Sequence, residues 1–153
     1  MEWDASLESD IEVIDHEHKE LVGQLSHLMD ESNQNRVEEM LGFLKRYVVQ
    51  HFSHEQLMHK SSNYPKAAEH KQAHINFIDT FAVLEKQFYA EGSNLEMLQK
   101  VIEVVNTWLK EHIMGLDKEF AEYYKALNQT EEVAVEEFEC PDTESPLTTK
   151  PTD

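Results

Sequence analysis

The chain has 153 residues, with 31 acidic and 13 basic side chains and nine histidines, for a formal net charge of −18. The length fits one domain. The acidic excess excludes nucleic-acid binding and attachment to an anionic membrane surface, because both need clustered Lys and Arg. The single cysteine, Cys140, cannot form an internal disulfide, so nothing calls for an oxidising compartment. No apolar run approaches the roughly 20 residues of a membrane span. The opening stretch MEWDASLESD lacks the basic and apolar regions of a signal peptide. The expectation is a soluble cytoplasmic protein.

Residues 1–14 read as an N-terminal arm, pinned to the rest by Trp3, Ile11 and Ile14. The first helical segment runs from about Asp15 to Glu31, with Leu21, Leu25 and Leu28 at helical spacing and Asp15 as the expected N-cap. Ser32-Asn33-Gln34-Asn35 interrupts it. The second segment starts after Asn35, with Glu38 as capping-box partner, and runs to about Lys60. Its stripe is Val37, Met40, Leu41, Leu44, Val48 and Phe52. After the break Ser61-Ser62-Asn63-Tyr64, Pro65 suits a first helical turn. The third segment continues to about Ala90 on Phe77, Ile78, Phe81 and Leu84. Glu91-Gly92 ends it, and Ser93 with Glu96 forms the next capping box. The fourth runs from about Asn94 to Leu127 on Leu98, Val101, Ile102, Val105, Trp108, Leu109 and Leu116.

Short breaks between long amphipathic helices predict an all-α, up-down-up-down antiparallel four-helix bundle over residues 1–128. The body has only four glycines and one proline, Pro65, which suits sheets poorly. Residues 129–153 hold eight acids, one base (Lys150) and three of the four prolines. They read as an acidic, disordered tail with too little apolar content to offset ordering entropy. Acids flank Cys140 there, which disfavours a reactive thiolate.

The histidines form a pattern on this layout. His18 lies in the first segment. His51 and Glu55 are spaced i, i+4 on the second, as are His70 and His74 on the third. Such a pair projects from one helix face, so two donors can reach one point in the core. His112 and Asp117 on the fourth are spaced i, i+5, about 140° apart at roughly 3.6 residues per turn. A local widening, or bending through Gly115, would bring them into register. Burying seven such donors without a shared partner would be very costly. For two six-coordinate metals, five imidazoles, two bridging carboxylates and one shared oxygen atom leave one position vacant, which suits a small end-on ligand. Nitrogen and oxygen donors without thiolate fit iron, manganese or zinc; an imidazole-rich octahedral set suits iron best. His16, His27, His54 and His59 fall outside this set and read as surface residues. Tyr47 is the one candidate for a redox-active side chain. The Glu-x-x-His pair of ferritin-like di-iron proteins is absent, as is the metalloprotease His-Glu-x-x-His.

Ile14-Asp15-His16-Glu17-His18-Lys19, YVVQHFSHEQLM (Tyr47 to Met58), Tyr64-Pro65 with His70 and His74, and Trp108-Leu109 followed by HIMGLD (His112 to Asp117) together resemble the hemerythrin family. The single-domain prokaryotic form, bacteriohemerythrin, is the nearest in kind. The resemblance covers about residues 3–127, and His16 stands where Glu is commoner in the family. It implies reversible O2 binding at a non-haem centre of two iron ions (Fe2+/Fe3+) with a bridging oxo or hydroxo group. Carried over, His70, His74 and His112 hold one iron, His18 and His51 hold the other, and Glu55 and Asp117 bridge them. O2 takes the vacancy on the two-histidine iron. Leu21, Phe52, Trp108, Leu109 and Ile113 match the family's apolar O2 pocket. The implied role is oxygen carriage, storage or delivery to an oxygen-consuming enzyme, by a monomer that is not itself an enzyme. The alternatives are an O2 or redox sensor acting through a partner, and a di-iron oxidoreductase handling peroxide or nitric oxide.

Overall fold

The computed structural model describes residues 2–30 and 36–136, with the side chains of 28–30 and 129–136 excepted. Among them there is no strand. The helices are α1 (Glu12–Asp30), α2 (Val37–Ser61), α3 (Ala67–Glu91), α4 (Leu95–His112) and α5 (Lys118–Glu136). A π-helical turn, Ile113–Asp117, joins α4 to α5 without a break, so these three form one long fourth helix. Short connections make successive helices antiparallel neighbours, and the result is the expected four-helix bundle. The Asn35 cap, Cys140 and the tail beyond residue 136 lie outside the described residues. The fourth helix carries on past Leu127, where the sequence stripe fades, to Glu136, because each added residue of a helix already begun gains a backbone hydrogen bond.

Helix ends differ from the sequence expectation in three places. First, α1 begins at Glu12, and Asp15 lies inside its first turn. The Asp15 carboxylate accepts from Ser9 N (2.7 Å), Ser9 Oγ (2.8 Å) and Asp10 N (3.0 Å). It therefore clamps the arm onto the helix instead of capping it, and Asp10 takes the left-handed backbone (φ 62°) that this reversal requires. Second, Asn94 rather than Ser93 caps α4, accepting from Met97 N at 2.8 Å. Both residue types can cap, and spacing alone could not choose between adjacent candidates. Third, Pro65 precedes α3 and lies in the turn closed by Ala67 N–H on the Tyr64 carbonyl (3.2 Å).

The stripes bury much as expected. Ile78 is the exception, exposed because Phe77, Phe81, Leu84 and Phe88 define the buried line and Ile78 sits one position off it. The arm packs as its apolar residues predict, with Trp3 and Leu7 on the main core and Ile11 and Ile14 on a smaller one.

Those two cores set the position of the functional site. The larger contains Leu21, Leu25, Leu44, Val48, Phe52, Phe77, Val101, Leu109 and Ile113. The smaller contains Ile11, Ile14, Tyr64, Phe120 and Ala121. Along every helix the histidines and carboxylates fall between the two. On α1, His18 separates Ile14 from Leu21; His70 and His74 of α3 lie between Tyr64, in the turn before that helix, and Phe77. The polar layer is thus sealed above and below by apolar side chains.

Candidate metal centre

Each helix presents its donors where its period dictates. The i, i+4 pairs His51/Glu55 and His70/His74 point inward together and are all buried. His112 ends α4, and Asp117 ends the π turn. There the Lys118 N–H reaches back five residues to the Ile113 carbonyl, which is the π hydrogen bond. This widening brings Asp117 onto the His112 face, Nε2 to Oδ1 3.0 Å. A Cβ on Gly115 would meet nothing within 4 Å, so the turn does not require a glycine there. Gly115→Ala is therefore expected to retain the site and to raise stability by about 0.4–1 kcal/mol through the unfolded chain's lower entropy, read by urea denaturation.

The seven side chains are all buried and fall into two groups. Ligand atoms of Glu55, His70, His74 and His112 lie within 4.8 Å of one another, as do those of His18, His51 and Asp117. The carboxylates span both groups. Asp117 sets Oδ1 3.1 Å from His70 Nε2 and Oδ2 3.1 Å from His18 Nε2. Glu55 Oε2 is 2.9 Å from His74 Nε2 and 3.6 Å from His51 Nε2. Yet none of the four carboxylate oxygens receives a properly directed hydrogen bond. Buried carboxylates this close to several imidazole nitrogens, yet without a directed donor, are the arrangement expected when both kinds of group aim at shared third atoms. The donor set suits two metal ions of the iron class.

The charges agree with this. Burial would raise the Glu55 and Asp117 carboxyls, but the surrounding imidazoles outweigh it and hold both well below the usual carboxylate range. Burial would lower His70, but the Asp117 and Glu55 carboxylates, 3.1 and 3.5 Å from its Nε2, hold it up at about 9. For His74 burial wins and pulls it down to about 4.

Three features were not legible from the histidine spacing. Glu17 is buried and binds His51 Nδ1 through Oε2 (2.8 Å) and His54 Nδ1 through Oε1 (2.5 Å). Burial would raise its carboxyl, and these two histidines more than compensate. Its hold on Nδ1–H leaves the Nε2 lone pair of His51 facing the centre. His54 is accordingly half-buried and paired, whereas His16 and His27 are exposed as expected.

Second, every imidazole of the set has an aromatic ring against it. Tyr47 stacks on His51 (5.1 Å, 22°), Phe52 on His74 (3.7 Å, 4°) and Trp108 on His112 (4.4 Å, 18°). Trp3 faces His18 at 6.5 Å, and His59 lies against His70 at 4.5 Å. Two of these, Tyr47/His51 and Trp108/His112, are i, i+4 pairs on one helix, a signal the sequence did carry.

Third, His59 is buried, contrary to the surface reading. It is 2% exposed and packed among Tyr64, His70 and Phe120, because α5 lays Phe120 across it. Burial and the neighbouring His70 keep it low, at about 4. Of the apolar residues, Leu21, Phe52, Leu109 and Ile113 are buried and Trp108 is partly buried in the same core, on the side of the donors away from Tyr64.

Comparison with known proteins agrees with the geometry. Residues 9–124 match the family model described as "Hemerythrin HHE cation binding domain". The chain is similar to a bacteriohemerythrin of Stenotrophomonas maltophilia, 31% identical over 131 residues that cover 83% of this chain and 84% of that protein. It is 33% identical to hemerythrin subunit 1 of Golfingia vulgaris over 115 residues, 75% of this chain and 85% of the relative. A myohemerythrin of Theromyzon tessulatum is 29% identical over 116 residues, 76% and 87% of the two chains.

Proposed function

The chain belongs to the hemerythrin family, whose domain implies a centre of two iron ions, and on that premise we propose that it binds O2 reversibly there for carriage, storage or delivery to an oxygen-consuming enzyme. The observation that carries the reading is Asp117, whose two oxygens face the two groups of histidines separately. In this reading His70, His74 and His112 would hold one iron and His18 and His51 the other, with Glu55 and Asp117 shared between them. An iron pair held there would supply the two electrons that reversible O2 binding requires.

The protein's own part is orientation and exclusion. Glu17 fixes the tautomer of His51, and the stacked rings of Tyr47, Phe52 and Trp108 fix the imidazole planes. Leu21, Phe52, Trp108, Leu109 and Ile113 form an apolar wall beside the donors that would keep water and protons out of the centre. Glu17, the non-ligand carboxylate packed against the site, is engaged by two histidines. It therefore has no free oxygen for the acid–base role that a peroxide- or nitric-oxide-handling oxidoreductase would give it. This favours holding O2 over transforming it, in a binding protein that acts as a monomer in the cytoplasm. No described helix is long and apolar enough to cross a membrane.

The test is to load the protein with iron, reduce it, admit O2 and remove it again while following the visible spectrum. A colour change that reverses over repeated cycles is expected. One-way conversion to the ferric form, with steady consumption of added reductant, would replace this reading with the enzymatic one. A partner whose affinity changes on oxygenation would replace it with sensing.

A further inference from the structure

The seam between α1 and α2 holds a polar chain that runs from the surface to the metal ligands. On α1, Glu17 directly precedes His18. On α2, His54 lies three residues after His51, about 60° around the helix from it at roughly 3.6 residues per turn. These two flanking residues meet across the seam. Glu17 accepts from His51 Nδ1–H through Oε2 (2.8 Å) and from His54 Nδ1–H through Oε1 (2.5 Å). The side chains become more exposed along the chain: 2% for His51, 6% for Glu17 and 40% for His54.

Glu17 has an alternative place to go. It lines a cleft of about 210 Å³ together with Arg46, Gln50 and His51. Arg46 and Gln50 are exposed donors. A carboxylate at the edge of the core gains solvation by turning toward such donors and water, unless its own hydrogen bonds hold it. His51 engages one oxygen and His54 the other, so Glu17 cannot turn without giving up two charge-assisted bonds. Burial works against the Glu17 charge, and the two histidines more than restore it.

The oxygen held on His51 bears on the metal. An imidazole that gives Nε2 to an ion keeps its proton on Nδ1. A carboxylate accepting that N–H makes the ring a stronger donor, which favours the ferric state. The Nδ1 atoms of His18, His70 and His74 have no such partner. Among these four ligands, control of this kind belongs to His51.

We propose that His54 is a positioning residue for the metal centre: its hydrogen bond to Glu17 Oε1 keeps Oε2 on His51 and thereby sets the reduction potential of the iron that His51 holds. This role rests on the iron-pair reading. It makes a half-exposed residue, which is not a ligand, the link between the protein surface and the centre.

The test is the reduction potential of the iron-loaded protein, poised with one-electron mediators, in His54→Leu, His54→Asn, Glu17→Gln and the double variant Glu17→Gln/His54→Leu. Each mediator electron turns one Fe3+ into Fe2+, and iron content is measured on every variant. His54→Leu removes the donor and frees Glu17 to turn into the cleft. His51 then becomes a poorer donor, the ferric state loses support, and the potential rises. The expected shift is at least about threefold in the ferric/ferrous equilibrium, about 28 mV for one electron. Glu17→Gln removes the anion itself and is expected to shift the equilibrium the same way by at least about tenfold, about 59 mV. His54→Asn keeps an N–H donor near the position of Nδ1 and should restore the parent potential. His54→Leu should add little in the Glu17→Gln background, because His54 acts only through Glu17. Both irons should stay in place in His54→Leu. With two irons in the parent, an unchanged or lowered potential in His54→Leu would overturn the role of His54 and leave the metal centre standing. So would iron lost from His54→Leu, full additivity with Glu17→Gln, or no rescue by His54→Asn. A parent that takes up no iron pair would remove the metal reading and this role with it.

Discussion

Replacing His70 and His74 together with alanine is expected to strip the centre, lowering iron from two per chain to one or fewer by metal analysis of the purified protein. Both side chains are fully buried, and with His112 they place three Nε2 atoms around one point, His112 being 3.0 Å from each of the other two. Removing two of three imidazoles leaves that point with His112 and shared carboxylates. Stability should fall with the metal. Metal binding is linked to folding, and an ion held about a thousandfold below its free concentration contributes about 4 kcal/mol. For a chain of this size that corresponds to a drop of about 10 °C in Tm. The variant should therefore melt near the temperature of the chelator-stripped protein, and chelation should lower its Tm little further. Full iron occupancy in the double variant would refute the ligand set.

The second large effect concerns the apolar wall. Leu21→Gln and Ile113→Thr each put a polar group at a position now 1% or less exposed. Each is expected to speed autoxidation of the oxygenated protein at least about tenfold, equivalent to lowering the barrier by about 1.4 kcal/mol, because water and protons gain a foothold beside the site. Both variants should also lose about 1–3 kcal/mol of stability from burying an unpaired polar group. Helical content, iron content and initial O2 binding should stay close to those of the parent. Leu44→Ala serves as the control: Leu44 is a buried core residue without a place in the proposed wall, so it should cost stability while leaving autoxidation nearly unchanged. Equal autoxidation in all three variants would remove the wall from the mechanism and leave it as core.

How far these sites could be read from the sequence depends on what kind of information each residue carries. His51/Glu55 and His70/His74 are one-helix features, and the 3.6-residue period alone puts each pair on one face. The same holds for Tyr47 behind His51 and Trp108 behind His112. The i, i+5 spacing of His112 and Asp117 announced a departure from the α-helix, and the π turn at Ile113–Asp117 is that departure. Spacing could not say whether widening or Gly115 would supply it. That depended on backbone hydrogen bonds whose register is set by what the fourth helix packs against. Asp15 looked like a cap because caps and buried clamps use the same side chain; only the fold back of Ser9 and Asp10 distinguishes them.

Burial of polar residues marks the same boundary more sharply. His54 and His59 both lie near His51 in the chain, and both read as surface. Glu17, one helix away, draws in the first, and Phe120, from the far end of the chain, covers the second. Neither partner is a sequence neighbour, so no local pattern could reveal it.

By itself, the sequence determined a helical bundle, the apolar stripe of each helix and the seven donors on four helices, because periodicity and side-chain chemistry are local properties. The tertiary structure decided what those donors share. It brought Asp117 between the two groups of histidines, sealed the layer between two apolar cores, set Glu17 behind His51, and left His59 buried and unpartnered beside an uncapped helix start. Each of these depends on which helices lie side by side, and that is fixed by packing across the whole chain.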